Sequence, residues 1–286
     1  MDRCFFASDL HGREARYRKL FQAIESELPG AVFLGGDLFP SGLGDMLGVQ
    51  GYEDFLEDLL VPEFTRLRNI LGPDYPSVFI IMGNDDARIR EQDMERLQNL
   101  GLWLYAHNRR LQWRDYAVYG YAFVPPTPFM LKDWERYDVS RYVDPLCVSP
   151  EEGTLSVSVA ADTLKHQTIQ KDLQLLTNNA DLSRSIFLFH TPPYNTGLDR
   201  AALDGKKYKY VDLDVHVGSI AVRRFIESRQ PLLTLHGHIH ESTRLTGTWK
   251  ERIGNTYSFS SAHDGSELSL VRFDPANLEA ATRELI

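Results

Sequence analysis

Short islands of metal-binding residue types recur along this chain: Asp9-Leu10-His11, Gly35-Gly36-Asp37, Gly83-Asn84-Asp85-Asp86, His190 and Gly237-His238-Ile239-His240. Carboxylate, imidazole and a single amide suit a pair of first-row divalent cations. Hard oxygen neutralises charge, imidazole nitrogen sets geometry, and one carboxylate can bridge. One island alone says little, because Asp-x-His is frequent by chance and a Gly-Asp or Gly-Asn pair is ordinarily a turn. Their joint occurrence says more, since each follows a short apolar run and strands that end there would deliver every donor to one edge. A pair of cations so held would activate water and neutralise charge in an in-line displacement, with a phosphate ester among the substrates that suit it.

The elements that must position these residues follow from periodicity. Residues 3 to 8 are an apolar run, and residues 12 to 28 place Tyr17, Leu20, Phe21 and Ile24 at helical spacing before Pro29-Gly30 ends the helix. A second run, 31 to 34, is broken by Gly35-Gly36 just before Asp37, as when a buried strand meets a tight loop. Helices are expected over 52 to 71 and 86 to 100, with a third buried strand over 77 to 82. The pattern then changes: 102 to 105, 111 to 113 and 116 to 121 are short strand-like runs with little helix between them, which indicates a second sheet. Residues 122 to 153, rich in proline and aromatics, read as a long ordered loop of the kind that borders sites. Beyond it, 162 to 178 is expected to be helical and 185 to 189 a strand delivering His190. A helix over 218 to 228 and a strand over 232 to 235 follow, and short strands fill 242 to 274. The whole reads as one α/β domain over residues 1–286: a four-layer α-β-β-α sandwich of two mixed β-sheets flanked by helices, with the metal site at strand C-terminal ends.

Bulk properties narrow the partners. At 286 residues and 43% hydrophobic the chain can bury a full core. No run approaches the ~18 apolar residues of a membrane helix and the start has no signal-peptide layout, so a cytoplasmic protein with no membrane partner is expected. Two cysteines, Cys4 and Cys147, do not make a disulfide framework and are expected to be reduced. A net charge of -9 disfavours nucleic acid and favours a small phosphorylated substrate. The Lys206-Lys207-Tyr208-Lys209 run reads as a solvated loop. Oligomeric state has no signature.

Taken in order, the islands resemble the calcineurin-like metallophosphoesterase superfamily, whose pattern is D-x-H, G-D-x-x, G-N-H-[DE], H, G-H-x-H; the likeness spans Asp9 to His240. Within it, residues 235 to 242, with His216-Val217-Gly218-Ser219 upstream, are similar to a branch of predicted cytosolic phosphoesterases. The resemblance implies that Asp9, His11 and His240 hold one metal, that Asn84, His190 and His238 hold the second, and that Asp37 bridges them. It also implies two divalent ions, of Mn, Fe, Zn or Ni with Mn the first choice, and attack on phosphorus by metal-activated hydroxide, with Asn84 helping to neutralise phosphoryl charge. One residue departs from the pattern: Asp85 stands where the family has the histidine thought to protonate the leaving group. Asp85 is then either a modified acid or an absence, and His216 is another candidate donor, beside a helix start whose N–H groups could receive a phosphate. Family precedent for a substituted histidine favours a phosphodiester with a good leaving group. His236 is expected to orient a ligand or line the pocket, and His107 and His166 to be surface or helix residues. Two other functions fit the same motifs: a non-catalytic metal-binding scaffold and a nuclease.

Overall fold

The structure is a computed structural model and describes residues 3–41 and 54–286. The first strands are β1 (Cys4–Ala7), β2 (Ala31–Gly35), β3 (Ser77–Ile81) and β4 (Leu104–Tyr105), followed by the hairpin β5 (Arg109–Trp113) and β6 (Tyr116–Tyr121). The rest are β7 (Ser185–Phe189), β8 (Lys207–Tyr208), β9 (Val211–Asp212), β10 (Leu233–His236), β11 (Lys250–Ile253), β12 (Thr256–Ser260), β13 (Ser269–Phe273) and β14 (Thr282–Leu285). Helices are α1 (Glu14–Glu27), α2 (Val61–Leu71), α3 (Glu91–Leu97), α4 (Ala161–His166), α5 (Ile169–Thr177), α6 (Ile220–Arg229) and α7 (Ser242–Thr246).

Two six-stranded sheets result, ordered β14-β13-β1-β2-β3-β4 and β11-β12-β10-β7-β6-β5, while β8 and β9 form a separate hairpin. Both are mixed: parallel strands fill the centre of each, antiparallel pairs flank both margins of the second sheet and the β14-β13-β1 margin of the first, and β4 pairs parallel at the other edge. The central strands are covered on both faces, and therefore read as continuous apolar runs instead of alternating. The sheets face one another: Phe259 of β12 meets Phe273 of β13 with ring centroids 6.0 Å apart, and β2 packs against β7. Outside the first sheet lie α1 and α2, joined by Phe21 against Phe64 at 5.2 Å; α5 and α6 pack together outside the second. The α/β sandwich of two mixed sheets flanked by helices is therefore the observed architecture.

Several elements differ from the periodicity reading, each for a local reason. The helix expected over 86 to 100 is an α-helix over Glu91–Leu97 continued by 3-10 turns at Arg88–Arg90 and Gln98–Leu100, and it starts after Asp86 because that carboxylate accepts backbone N–H groups of Gly83, Leu38 and Phe39 and holds the chain in a turn. The stretch 162 to 178 is two helices, since Thr168 adopts extended backbone and caps α5 by accepting from Lys171 N. Of 52 to 71, residues 52 and 53 lie outside the described residues; the remainder is a π-helical turn, Leu56–Leu60, running into α2. The helix expected over 218 to 228 starts at Ile220 with Ser219 as its cap. The tail includes the short helix α7, and β14 lies beyond residue 274.

His107 corrects another expectation. It is buried, its Nδ1 accepts from Ala122 N at 3.0 Å, and its ring stands edge-on to Trp134. Burial, and then the nearby Arg88 and Arg136, hold it neutral well below the ordinary histidine range. His166 is an exposed helix residue paired with Asp162. In 122 to 153, isolated bridges join Val124 to Glu135 and Leu131 to Thr154, and the buried Lys132 ammonium meets Glu135 at 2.6 Å.

Candidate metal centre

The C-terminal ends of five strands converge. After β1 come Asp9 and His11, after β2 Asp37, after β3 Asn84, after β7 His190, and after β10 His238 and His240. Backbone hydrogen bonds lock the loops together, with Asp9 N donating to Gly36 O, His11 N to Asp37 O, and Gly237 N to His190 O, all at 2.8 to 2.9 Å. Asp9, His11, Asp37 and His238 sit at φ between 49° and 74°, in the left-handed region where L residues are uncommon. Four strained positions in one cluster indicate that the loops are shaped for the side chains they present. Glycine makes the approach possible: a Cβ on Gly83 would lie 2.3 Å from Asp37 Oδ1, and one on Gly237 would lie 2.0 Å from Ser8 Oγ.

The donors fall into two groups. Asp9, His11, Asp37 and His240 form one, Asp37, His190 and His238 the other, and within each group the ligand atoms lie within 4.8 Å of one another. Asp37 belongs to both. Asn84 stands with the second group, its Oδ1 3.0 Å from His190 Nε2, which is 3.3 Å from Asp37 Oδ2. On the other side, His11 Nε2 and His240 Nε2 face each other at 3.1 Å, and His240 Nε2 is 3.2 Å from Asp9 Oδ1.

Outer contacts fix which ring nitrogen faces inward. His190 Nδ1 is 2.8 Å from the Gly35 carbonyl and His11 Nδ1 is 3.3 Å from Asp85 Oδ2, so in both rings Nε2 is turned to the centre. Asp9 is pinned by Ser8 Oγ and, at 2.9 Å, by His238 N. The electrostatics are strong. Burial disfavours charge on His11, yet the hydrogen bond to Asp85 and the fields of Asp37 and Asp9 raise it to about 9. His190 likewise rises to about 9 against burial, chiefly through Asp37. Burial would raise Asp9 and Asp37, but the imidazoles overcome it: His240 takes Asp9 down to about 2, and His190 holds Asp37 far below the carboxylate range. His238 is lowered to about 3 by burial and by His190. Buried carboxylates facing converging imidazole nitrogens are a donor set that fits divalent cations, which compete with protons for the same lone pairs.

The remaining sequence candidates have different surroundings. Asp85 borders the centre, accepting from Ser41 Oγ at 3.0 Å and engaging His11, while its own N–H donates to Asp37 Oδ1 at 2.8 Å. His216 lines the cavity that opens over the centre, its Nδ1 2.7 Å from Asp199 Oδ1. His236 neither reaches a ligand nor lines that cavity; it is buried, bonded to Thr191 O and Thr234 Oγ1 and stacked on Phe189, and burial lowers it to about 4. The helix start after Gly218 is also not open to a phosphate, because Asp138 accepts from Ile220 N, Ala221 N and Ser219 Oγ. Lys207 and Lys209 are not in a plain loop: they belong to the β8–β9 hairpin, with Lys207 paired to Asp212 and Lys209 lining the cavity. Asp199 and Asp138 escaped the sequence reading. Each is a lone carboxylate in a loop, and its partners become neighbours only in the fold.

Residues 3–242 match the family model described as calcineurin-like phosphoesterase. No curated protein sequence matches. Among solved structures, TT1561 of Thermus thermophilus superposes with a TM-score of 0.55 at 17% identity, covering 99% of this chain and 98% of its own. A phosphopantetheinyl hydrolase of Mycobacterium tuberculosis gives 0.51 at 11% identity, over 91% of this chain and 89% of that one. A dimetal phosphatase of Danio rerio gives 0.51 at 11% identity, over 94% and 91%. At these identities the structural likeness is one of fold.

Proposed function

Because the chain belongs to the calcineurin-like phosphoesterase family, we propose that it is a single-domain, binuclear-metal-dependent hydrolase of a small-molecule phosphodiester. The observation that carries the reading is the pair of ligand groups sharing Asp37. Asp9, His11 and His240 would hold one cation, Asn84, His190 and His238 the other, and Asp37 both. Bound there, two divalent cations, Mn²⁺ as first choice, would neutralise phosphoryl charge and make hydroxide available near neutral pH.

The chain's own residues supply the rest. Strained loops and outer hydrogen bonds hold the donors in place before substrate arrives, so little reorganisation is needed during reaction. Asp85 accepts from His11 Nδ1, which fixes the ring and keeps Nε2 inward. His216 is the better placed proton donor: it lines the cavity, and the buried Asp199 engages its Nδ1 and so orients the ring. With no histidine at position 85, a diester with a good leaving group is the substrate class that demands least of the acid. Among cavity-lining residues away from the centre, Asp138, Asp144, Asp212, Asp214 and Glu241 are faced by the single cation Lys209, which disfavours a polyanion such as nucleic acid. A cytoplasmic location accords with two free cysteines and with the lack, among the described residues, of a helix long and apolar enough to cross a membrane.

The test is metal content joined to turnover. Protein loaded with Mn²⁺ is expected to carry two ions per chain and to hydrolyse bis(4-nitrophenyl) phosphate, and Asp37→Asn to lose both. Full loading with no turnover across a panel of phosphodiesters, nucleotides and monoesters would favour the scaffold reading.

A further inference from the structure

The centre opens into a cavity of about 1560 Å³, larger than the ~300 to 1,000 Å³ of ordinary small-molecule sites. His11, Asp37, Asn84, Asp85, His238 and His240 occupy one part of its lining. The rest is predominantly apolar. The segment 122 to 153 contributes Pro128, Phe129, Met130, Tyr142 and Leu146, and the β8–β9 hairpin region contributes Tyr208, Tyr210, Val211 and Leu213. Seven of the fifteen large apolar side chains exposed among the described residues line this one cavity, with Tyr210 96%, Tyr142 68% and Phe129 63% exposed. Scattered exposed apolar residues are ordinary, but this concentration next to a catalytic edge is not, and it leaves apolar surface that a bound group would cover.

Building on the phosphodiesterase reading, we propose that the substrate is an amphiphile: a phosphoester whose organic group is a long alkyl or acyl chain, seated between the 128–146 segment and the β8–β9 hairpin while the phosphate lies at the metal centre. Two observations select this occupant. The apolar walls and the ligand cluster bound the same cavity, so one molecule with a charged end and an apolar end spans them. The charged groups on those walls are nearly all carboxylates, which repel a second phosphate or other anion and leave a neutral chain as the fitting group. The hydroxyl of Tyr194 donates to Asp214 Oδ2 at 2.6 Å, so that polar atom already has its partner.

Alkyl 4-nitrophenyl phosphates from methyl to dodecyl, each below its micellar concentration, test this with the Mn²⁺-loaded protein. Burying one methylene is worth about 0.8 kcal/mol, or about fourfold in kcat/KM, so the octyl ester should exceed the methyl ester by at least ~100-fold even if only part of the chain is covered. In the double variant Phe129→Ser, Tyr210→Ser the octyl-to-methyl ratio should fall about tenfold. A second readout needs no turnover and no charge: in protein stripped of metal, 1-dodecanol should displace the neutral dye Nile red where methanol does not, and the double variant should bind the dye more weakly. Rates independent of chain length, with no selective displacement, would overturn the amphiphile and leave the phosphodiesterase intact. Selective displacement with no turnover of any ester would support the apolar site and count instead against the phosphodiesterase.

Discussion

Asp85 is where this chain leaves its family's pattern, and its contacts point to a different task from the one the missing histidine performs. An acceptor on His11 Nδ1 sets the ring and raises its basicity toward a cation, a task that needs no proton for a leaving group. Asp85→Asn is therefore expected to weaken Mn²⁺ binding about 10- to 100-fold and, at saturating metal, to slow nitrophenyl and alkyl leaving groups alike. His216→Ala should behave oppositely, losing about 10²-fold or more on an alkyl leaving group and little on nitrophenol. Equal losses for the two leaving groups would remove His216 as the donor, and selectivity in the Asp85 variant would restore the acid role to Asp85. Cys147 gives a prediction of another kind. Burial, then Asp144 and Glu135, push its thiol up to about 11. Only the thiolate is alkylated, so the rate with iodoacetamide should still climb about tenfold per pH unit between pH 8 and 10, where an ordinary thiol would be levelling off. A plateau near pH 9 would contradict the burial. Because Cys147 lines the same cavity, dodecyl phosphate should also slow the labelling.

At the scale of elements, strands were the legible part and the joints between loops were not. Runs such as Ser77–Ile81 and Ser185–Phe189 are covered on both faces, so composition alone marks them, and the glycines and donors directly after them mark the edge where they end. For the same reason Asp9, Asp37, Asn84, His190, His238 and His240 could be placed near one another before any coordinates. Helix limits were less visible because side chains distant in sequence set them. Asp86 stops the chain from entering a helix early by bonding to residues 48 and 47 positions away, and Asp138 takes the first N–H groups of α6 from 82 and 83 positions away. No window of local sequence contains both partners. Asp138 thereby ties the segment 122 to 153, one wall of the cavity, to α6 on the second sheet. Removing it in Asp138→Ala leaves two amide donors and the Ser219 hydroxyl without their acceptor, at a cost of about 1 to 3 kcal/mol. The expected result is a Tm lower by several degrees, together with faster proteolysis within residues 139–147, read by limited digestion and mass spectrometry. An unchanged digestion pattern would show that the wall is held by its other contacts, among them the Lys132–Glu135 pair.

For the whole molecule, the decisive fact is that the candidate ligands come from both sheets. Asp9, Asp37 and Asn84 follow strands of the first sheet and His190, His238 and His240 follow strands of the second, so cations bound to them would join the halves of the sandwich at one edge. The total of -9 could be read in the sequence, but not its concentration, for Asp9, Asp37 and Asp86 are buried at that edge, where burial and Asp37 raise Asp86 to about 8. Carboxylates so close destabilise one another, and divalent cations reverse the sign of the local field. Cations that bind the folded chain and not the unfolded one stabilise it by RT ln(1 + [L]/Kd), about 2.7 kcal/mol per site at one hundred times Kd. At roughly 2 to 4 °C per kcal/mol for a chain near this size, Mn²⁺ at that excess should raise Tm by about 5 to 20 °C over protein held in chelator, the range covering one site or both. The joining of the sheets adds a sharper expectation: tryptophan fluorescence and far-UV circular dichroism should report a single coincident transition with metal, and Asp37→Asn, which removes the residue shared by both groups, should forfeit most of the shift. His166→Ala, an exposed change remote from the centre, should keep it. A Tm insensitive to Mn²⁺ across a wide concentration range would mean that the donors, however well grouped, do not hold cations tightly enough to serve a reaction.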